Sequence, residues 1–192
     1  LTASYTNEGG YAYHHYNPAT NEHAPVAYND PSGYERLLVQ EGLVAKWRGD
    51  KVQLSMATGY NYLDDKMTLD QDFTPRSMFT LKQMQREHSL TEEIVIRNTD
   101  RDARWQWLTG AFLFAKWLDM SSPVTFKRDG IDDLILKNAN HGITSSGIFP
   151  EGTAIEIDTD EFLIASDFNI PTYGIALYHQ STLDLGRWHL TA

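Results

Sequence analysis

Hydrophobic and polar residues alternate along much of the chain with a period of two, the spacing of a strand with one face covered and one face wet. Val52 to Tyr62 shows it best. Val52, Leu54, Met56, Thr58, Tyr60 and Tyr62 share one face; Gln53, Ser55, Ala57, Gly59 and Asn61 share the other. Tyr, Thr, Val, Ile, Phe and Trp crowd the periodic segments, and Gly and Asn punctuate them, which favours strands over helices. The pattern predicts strands at Leu1–Thr6 (with a possible run on to Tyr13), Leu37–Trp47, Val52–Tyr62, Met84–Arg97, Trp105–Trp117, Tyr173–Asp184 and Trp188–Ala192. Thr153–Ala165 reads as an extra hairpin. The expected fold is therefore all-β, an antiparallel up-and-down meander.

The alternation suits two architectures. In a soluble sandwich the Leu54 face is the core and the Gln53 face meets water. In an outer-membrane barrel the Leu54 face meets lipid and the Gln53 face lines the lumen. The connections separate the two better. Arg48-Gly49-Asp50, Asn98 to Asp102 and Leu185-Gly186-Arg187 are short, while stretches at about 9–35, 63–83 and 118–167 are long. Short and long alternate strictly, as in a barrel with short periplasmic turns and long external loops. Compact soluble domains mostly use short connections.

Aromatic residues follow the same division. Trp47, Trp105, Trp107 and Trp188 lie near short turns, and Tyr60, Tyr62, Trp117 and Tyr173 near the long-loop ends. Ten steps separate Trp107 from Trp117, about 33 Å along a strand, or roughly 24 Å across a membrane at a 45° tilt. That matches an apolar band between two aromatic girdles. No apolar run is long enough for a spanning helix, but Trp105 to Ala115 fits a tilted membrane strand.

Three segments resemble the barrel strands of TonB-dependent outer-membrane receptors. Ser89-Leu90-Thr91-Glu92-Glu93-Ile94-Val95-Ile96 resembles the family's Ser-x-Glu-Leu-Arg-Leu strand. Trp105-Gln106-Trp107-Leu108-Thr109-Gly110-Ala111-Phe112-Leu113-Phe114 resembles the next, with its Trp followed by Gly-Ala-Phe-x-Phe. Tyr173 to Leu185, followed by Trp188-His189-Leu190-Thr191-Ala192, resembles a later hairpin ending Leu-Thr-Ala-Gly. Asp70-Gln71-Asp72-Phe73-Thr74 falls where the family often has an acidic loop stretch. Two departures stand out. Val95 occupies the family's usual Arg position, with Arg97 further along the same face. Glu92 shares the parity of Ile94 and Ile96, which puts a carboxylate in the apolar band unless a bulge turns it away or the strand leaves the membrane earlier.

The resemblance implies that residues 1–192 are part of one barrel domain, without its plug. It implies residence in the bacterial outer membrane and active uptake of an iron chelate, cobalamin or an oligosaccharide. The implied partners are the rest of the barrel and its plug, outer-membrane lipid, and the TonB energy-coupling complex through absent segments. Gln53, Ser55, Asn61, Glu93 and Arg97 are the expected lumen residues, touching ligand or plug. Trp47, Tyr60, Tyr62, Trp107, Trp117, Tyr173 and Trp188 are the expected interface aromatics. The alternative is a soluble β-sandwich binding module, for example for carbohydrate, with Tyr11, Tyr13 and Tyr16 as stacking platforms. The chain starts at Leu1 and stops inside what reads as a strand, so a fragment of a larger molecule is expected.

Composition narrows the chemistry. The 192 residues carry 16 Lys+Arg against 26 Asp+Glu, a net charge of −10, which argues against a general nucleic-acid binder. No cysteine is present, excluding disulfides and thiolate chemistry. From Asp119 to Asp167 ten acids face three bases, so this loop carries −7 of the total. Such a loop disfavours long-range attraction of anionic ligands and suits a neutral ligand, a cation or divalent-bridged lipopolysaccharide. His14, His15 and His23 form the densest histidine group, and Asp158-Thr159-Asp160-Glu161 faintly resembles a calcium loop. Neither has a complete ligand pattern, so no metal or cofactor is expected. No nucleophile elbow, phosphate loop or His-Glu-x-x-His motif occurs, and no enzyme activity is expected.

Overall fold

The computed structural model describes residues 1–10, 14–100 and 102–192. Its strands are β1 (Thr2–Gly9), β2 (Tyr16–Asn17), β3 (Glu22–His23), β4 (Gly33–Arg48), β5 (Val52–Asp70), β6 (Phe79–Asn98), β7 (Trp105–Ser121), β8 (Val124–Lys127), β9 (Glu161–Ile164), β10 (Asp167–Asp184) and β11 (His189–Thr191). Nine of them form one antiparallel sheet in the order β1-β4-β5-β6-β7-β10-β11, with β8 beside β6 and β9 beside β8. Each tight turn joins neighbours. At the first, the Gly49 amide donates to the Val52 carbonyl (2.9 Å). At the last, Gly186 takes φ 84°, a left-handed conformation that glycine adopts without a Cβ clash.

Two strand paths each run in two pieces. Met84 pairs Ser121 and Leu81 pairs Val124 in one unbroken count, so β8 is β7 resumed after Ser122-Pro123. Likewise β9 leads into β10 in the same register against that strand. Pro123 has no N–H to give the ladder, which accounts for the gap. Its carbonyl still accepts from the Lys82 amide (3.1 Å).

Several expectations need correction. The second connection spans only 71–78, because β5 and β6 run 19 and 20 residues instead of stopping near Tyr62 and Met84. The first and third shrink to 10–32 and 128–160. Thr153–Ala165 is no hairpin: Glu161–Ile164 pairs with β8 instead. The third connection holds a helical stretch over 128–146, wound as a π-helix at Ile131–Leu136 and ended by Gly147 at φ 64°. The suggested extension of β1 to Tyr13 falls on 11–13, outside the described residues, while β1 itself reaches Gly9.

The register fixes which residues share a face, because directly paired residues point the same way. On the Leu54 face, successive rows across β4 to β10 read Ala45–Met56–Ile94–Ala111–Leu177, Leu43–Thr58–Glu92–Leu113–Ile175, and Glu41–Tyr60–Leu90–Ala115–Tyr173. The next row, Val39–Tyr62–His88–Trp117–Pro171, ends the apolar zone. Beyond it the same face turns polar, with Leu37–Asp64–Arg86–Asp119–Asn169 and then Glu35–Lys66–Met84–Ser121–Asp167.

The opposite face changes in the other sense. Near the short turns it reads Arg48–Gln53–Arg97–Leu108–Gln180. Past the Tyr62 row it gains Leu38–Leu63, Leu118–Ile170, Met120–Phe168, Leu69–Leu81–Val124–Ile164 and Phe79–Phe126–Phe162. The last three rings pack in series, with centroids 5.8 and 5.4 Å apart. The sheet thus inverts its polarity at one row.

Little of this apolar surface is covered. Among the described residues Ile131 is the one fully buried apolar side chain, and Asp70 the one fully buried polar side chain. Leu43, Ile175 and Leu177 remain 63%, 71% and 77% exposed on the Leu54 face. The second sheet among the described residues is the two-residue pair β2–β3. A contiguous exposed apolar face of this kind marks contact with lipid or protein.

Candidate functional site

The five polar residues expected on the lumen face all lie on the Gln53 face, by parity and by register. Hydrogen bonds within and between strands engage them. Arg97 Nη2 donates to Gln53 Oε1 (3.2 Å), and Gln53 Nε2 donates to Ser55 Oγ (3.1 Å). Further up, Gln40 Nε2 donates to Asn61 Oδ1 (3.1 Å), and Asn61 Nδ2 to Ser89 Oγ (3.3 Å). Glu93 Oε1 accepts from the Tyr178 hydroxyl (2.7 Å).

Small residues make room for this face. The Tyr178 ring lies over Gly110, where an added Cβ would sit 2.1 Å from Cζ. Phe114 covers Gly174 in the same way, with 2.1 Å to Cε1. Aromatic side chains laid across cross-strand glycines shield the bare backbone and pin the register. Toward the short turns the face opens into a polar cavity of about 380 Å³, lined in part by Arg48, Gln53, Arg97, Gln106, Gln180 and Thr182.

The aromatics take the other face. Tyr60, Tyr62, Trp117 and Tyr173 cluster at the row where polarity inverts. Trp117 and Tyr173 meet edge to face (6.1 Å), and the Tyr60 hydroxyl lies 2.8 Å from His88 Nδ1. Tyr62 donates to Asp64 Oδ2 (3.1 Å), which Arg86 also binds (3.2 Å), so the polar zone starts immediately beyond the rings. At the other end Trp47 is 59% exposed, Trp105 and Trp107 lie 6.3 Å apart, and Trp188 is exposed just ahead of β11. Trp105 Nε1 donates to Ser181 Oγ (3.0 Å), and His179 contacts both Thr109 and Ser181. Polar groups thus fringe the apolar zone at both ends.

Glu92 lies within that zone, and no bulge turns it away, since Thr58↔Glu92↔Leu113 continue an unbroken register. Thr58 Oγ1 donates to Glu92 Oε2 (2.5 Å), while Oε1 is buried without a partner. Glu41, beside Tyr60, is a second carboxylate on this face that sequence reasoning passed over.

The long connections are tied together at the far end. Asp70 Oδ2 accepts the amides of Asn29 (2.9 Å) and Asp30 (3.0 Å), and Lys127 pairs with Asp30. Arg76 bridges to Asp133 (2.6 Å), and Ser77 N–H donates to Asp129 (3.0 Å). Gly130 is pressed against the Met78 carbonyl, where a Cβ would fall 2.2 Å from the oxygen.

The histidine group is not arranged as a strand would place it. His14 and His15 precede β2; His14 Nε2 meets His23 Nδ1 (2.7 Å), while His15 Nε2 lies 3.2 Å from the Asp72 carbonyl. Tyr16 lies against the His23 ring (4.9 Å), whereas Tyr11 and Tyr13 lie outside the described residues. Among the described residues no three His, Asp or Glu side chains come close enough to hold a metal ion, and this includes the Asp158–Glu161 stretch.

No family model, curated protein or solved structure matches the chain. The likeness to receptor barrels rests on the residues quoted above.

Proposed function

We propose that the chain is part of the barrel of a TonB-dependent outer-membrane receptor, serving active uptake of a nutrient such as an iron chelate, cobalamin or an oligosaccharide. The observation that supports this reading is the inversion of sheet polarity at the Tyr62–His88–Trp117 row. A soluble sheet keeps its apolar side toward one core. A strand that crosses a membrane and continues into water must turn apolar groups outward in lipid and polar groups outward beyond it. β5 and β6 are long enough for both, since a tilted crossing takes roughly 9–11 residues and they have 19 and 20.

In this reading Gln53, Ser55, Asn61, Glu93 and Arg97 line the lumen and contact ligand or plug. Trp47, Trp107 and Trp188 mark the periplasmic interface, and Tyr60, Tyr62, Trp117 and Tyr173 the external one. The third connection at 128–160, within the 119–167 stretch of net charge −7, faces outward and favours a neutral or cationic ligand. The test is to reconstitute the purified chain in vesicles whose acyl chains carry bromine. Strong quenching of tryptophan emission, relative to unbrominated vesicles, is expected. Unquenched emission from a chain that is soluble and monomeric without detergent contradicts the proposal. Binding screens with ferric chelates, cobalamin and oligosaccharides then address the ligand.

A further inference from the structure

The Leu54 face carries a hydrogen-bonded chain of side chains that uptake leaves without a task. His179 and Ser181 stand two residues apart on β10 and so project from the same face. His179 Nε2 lies 2.8 Å from Ser181 Oγ. His179 Nδ1 lies 2.7 Å from Oγ1 of Thr109, its direct partner on β7. Trp105 Nε1 donates to Ser181 Oγ (3.0 Å). An indole N–H only donates, so Ser181 accepts there and has its own hydrogen to give. All three bonds are made when Ser181 gives that hydrogen to Nε2 and Nδ1–H gives to Thr109. No local motif marks the group, because Thr109 and His179 lie 70 residues apart in the chain.

This is the arrangement of an activated serine: a hydroxyl within reach of a ring nitrogen, and the ring oriented by a third group. Thr109 is a neutral orienter where carboxylate triads place a charge, so slow turnover is expected. The surroundings are apolar. Ser181 opens into a cavity of about 470 Å³, lined also by Trp105, Leu183, Leu190, Thr191 and Ala192. His179 ends the row Trp47–Leu54–Ile96–Thr109, beside the row of Leu177, which is 77% exposed. A lipid ester has the two matching parts, an acyl chain for the cavity and a carbonyl carbon for the hydroxyl. In a bilayer that ester lies where hydrocarbon gives way to headgroup, the level at which tryptophans gather.

We infer that Ser181, His179 and Thr109 form a hydrolase site for the acyl esters of membrane lipids, with Ser181 as nucleophile, His179 as general base and Thr109 as positioning residue. His179 Nε2 takes the Ser181 proton as Oγ bonds to the ester carbon, and the carbonyl π pair moves onto its oxygen. Trp105 Nε1, already donating at Oγ, can turn its hydrogen to that oxygen. Collapse breaks the bond to the alcohol oxygen, which receives the proton from His179. Water then attacks the acyl-serine, His179 takes its proton, the carboxylic acid leaves and Oγ is reprotonated. The sum is ester plus water giving acid plus alcohol. The lipid substrate rests on the barrel reading, because a face that meets lipid is needed to receive it; the acyl chemistry does not.

The experiment reconstitutes the full chain in vesicles of phosphatidylethanolamine and phosphatidylglycerol that carry a radiolabelled acyl chain. Parallel samples are treated with an alkyl fluorophosphonate. Fatty-acid release is expected, with a phosphonyl adduct on Ser181 located by mass spectrometry. Ser181→Ala and His179→Gln should each lower release about 100-fold or more. Thr109→Val should lower kcat about tenfold with KM unchanged, and Thr109→Ser, which keeps the hydroxyl, should restore it. The adduct forms on the unaltered chain, so a variant that fails to fold does not hide the answer. No release and no adduct overturn the site, as does release that survives in Ser181→Ala. Cleavage of soluble p-nitrophenyl butyrate at Ser181, with phospholipid left intact, overturns the lipid substrate. Brominated-lipid quenching of the same preparations reports separately on the barrel. Its absence defeats the barrel reading and the lipid substrate, while an adduct on Ser181 still supports the acyl chemistry.

Discussion

Replacing Gly174 with alanine tests the β7–β10 register through a single contact. Gly174 stands directly opposite Phe114, whose ring lies over it. An added Cβ would fall 2.1 Å from Cε1, 2.8 Å from Cδ1 and 2.9 Å from Cζ, where ordinary contact begins at 3.4 Å. The ring must therefore withdraw by about 1.3 Å or leave its rotamer. Phe114 is 37% exposed, so it has space to move, and the cost is that of modest overpacking, about 1–3 kcal/mol. Loss of glycine's unfolded-state freedom offsets about 0.4–1 kcal/mol of this. The net expectation is a destabilisation of about 1–2 kcal/mol. Phe114→Ala alone costs about 1–2 kcal/mol, a part-covered ring's share of full burial. The double variant has no clash, so its loss should stay close to that of Phe114→Ala rather than the sum of both. Urea unfolding in micelles, followed by tryptophan emission, measures all three. A neutral Gly174→Ala, or strictly additive losses, refutes the register and with it the assignment of faces on β10.

Three further outcomes are expected. Asp70→Ala strips the acceptor from the Asn29 and Asp30 amides in a fully buried setting, and should cost about 2–4 kcal/mol locally; hydrogen exchange at those two amides should accelerate, and unchanged exchange contradicts the anchor. The Arg128 guanidinium holds the Asp132 carboxyl below the usual range. A depressed folded pKa stabilises above the unfolded value, and that contribution fades as pH falls through the folded one, so the start of the 128–146 helix should loosen only in acid. An NMR titration of Asp132 that shifts upward in Arg128→Gln supports this, and an unmoved titration does not. Glu92→Leu removes the orphan Oε1 from the apolar zone, and should stabilise the chain in lipid by about 1 kcal/mol despite the lost Thr58 bond; a large destabilisation in micelle unfolding would show that Glu92 has a partner there.

The strands and their order were legible because alternation, turn chemistry and strand-rich composition agreed along each segment. Gln53, Ser55, Asn61, Glu93 and Arg97 could be grouped by parity alone. The strand ends were not legible, for a specific physical reason. Past Tyr62 the apolar positions move from even to odd (Leu63, Met67, Leu69), and β7 shifts in the opposite sense at Leu118 and Met120. A search for one continuous phase stops at that shift and reads the remainder as loop. Met120–Phe168 and Leu118–Ile170 show that the shift is a change of environment along an unbroken ladder. The helix at 128–146 was missed because Asn138, Asn140, Gly142 and Thr144 are weak helix formers, and Gly147 was its one clear stop signal. The Phe114–Gly174 and Tyr178–Gly110 contacts needed the register between distant strands, which no local pattern encodes.

The most direct test of the central claim is a spin-label scan along β5, residues 52–70, in reconstituted vesicles, reading collision with oxygen and with a water-soluble nickel complex. Labels at 54 and 56 should meet oxygen while those at 53 and 55 meet the nickel complex. Beyond Tyr62 the phase should invert on the same strand, with 64 and 66 reached by nickel and 63 and 67 shielded from it. A single phase from 52 to 70, or no oxygen-rich positions at all, contradicts a sheet that passes from lipid into water at the Tyr62 row.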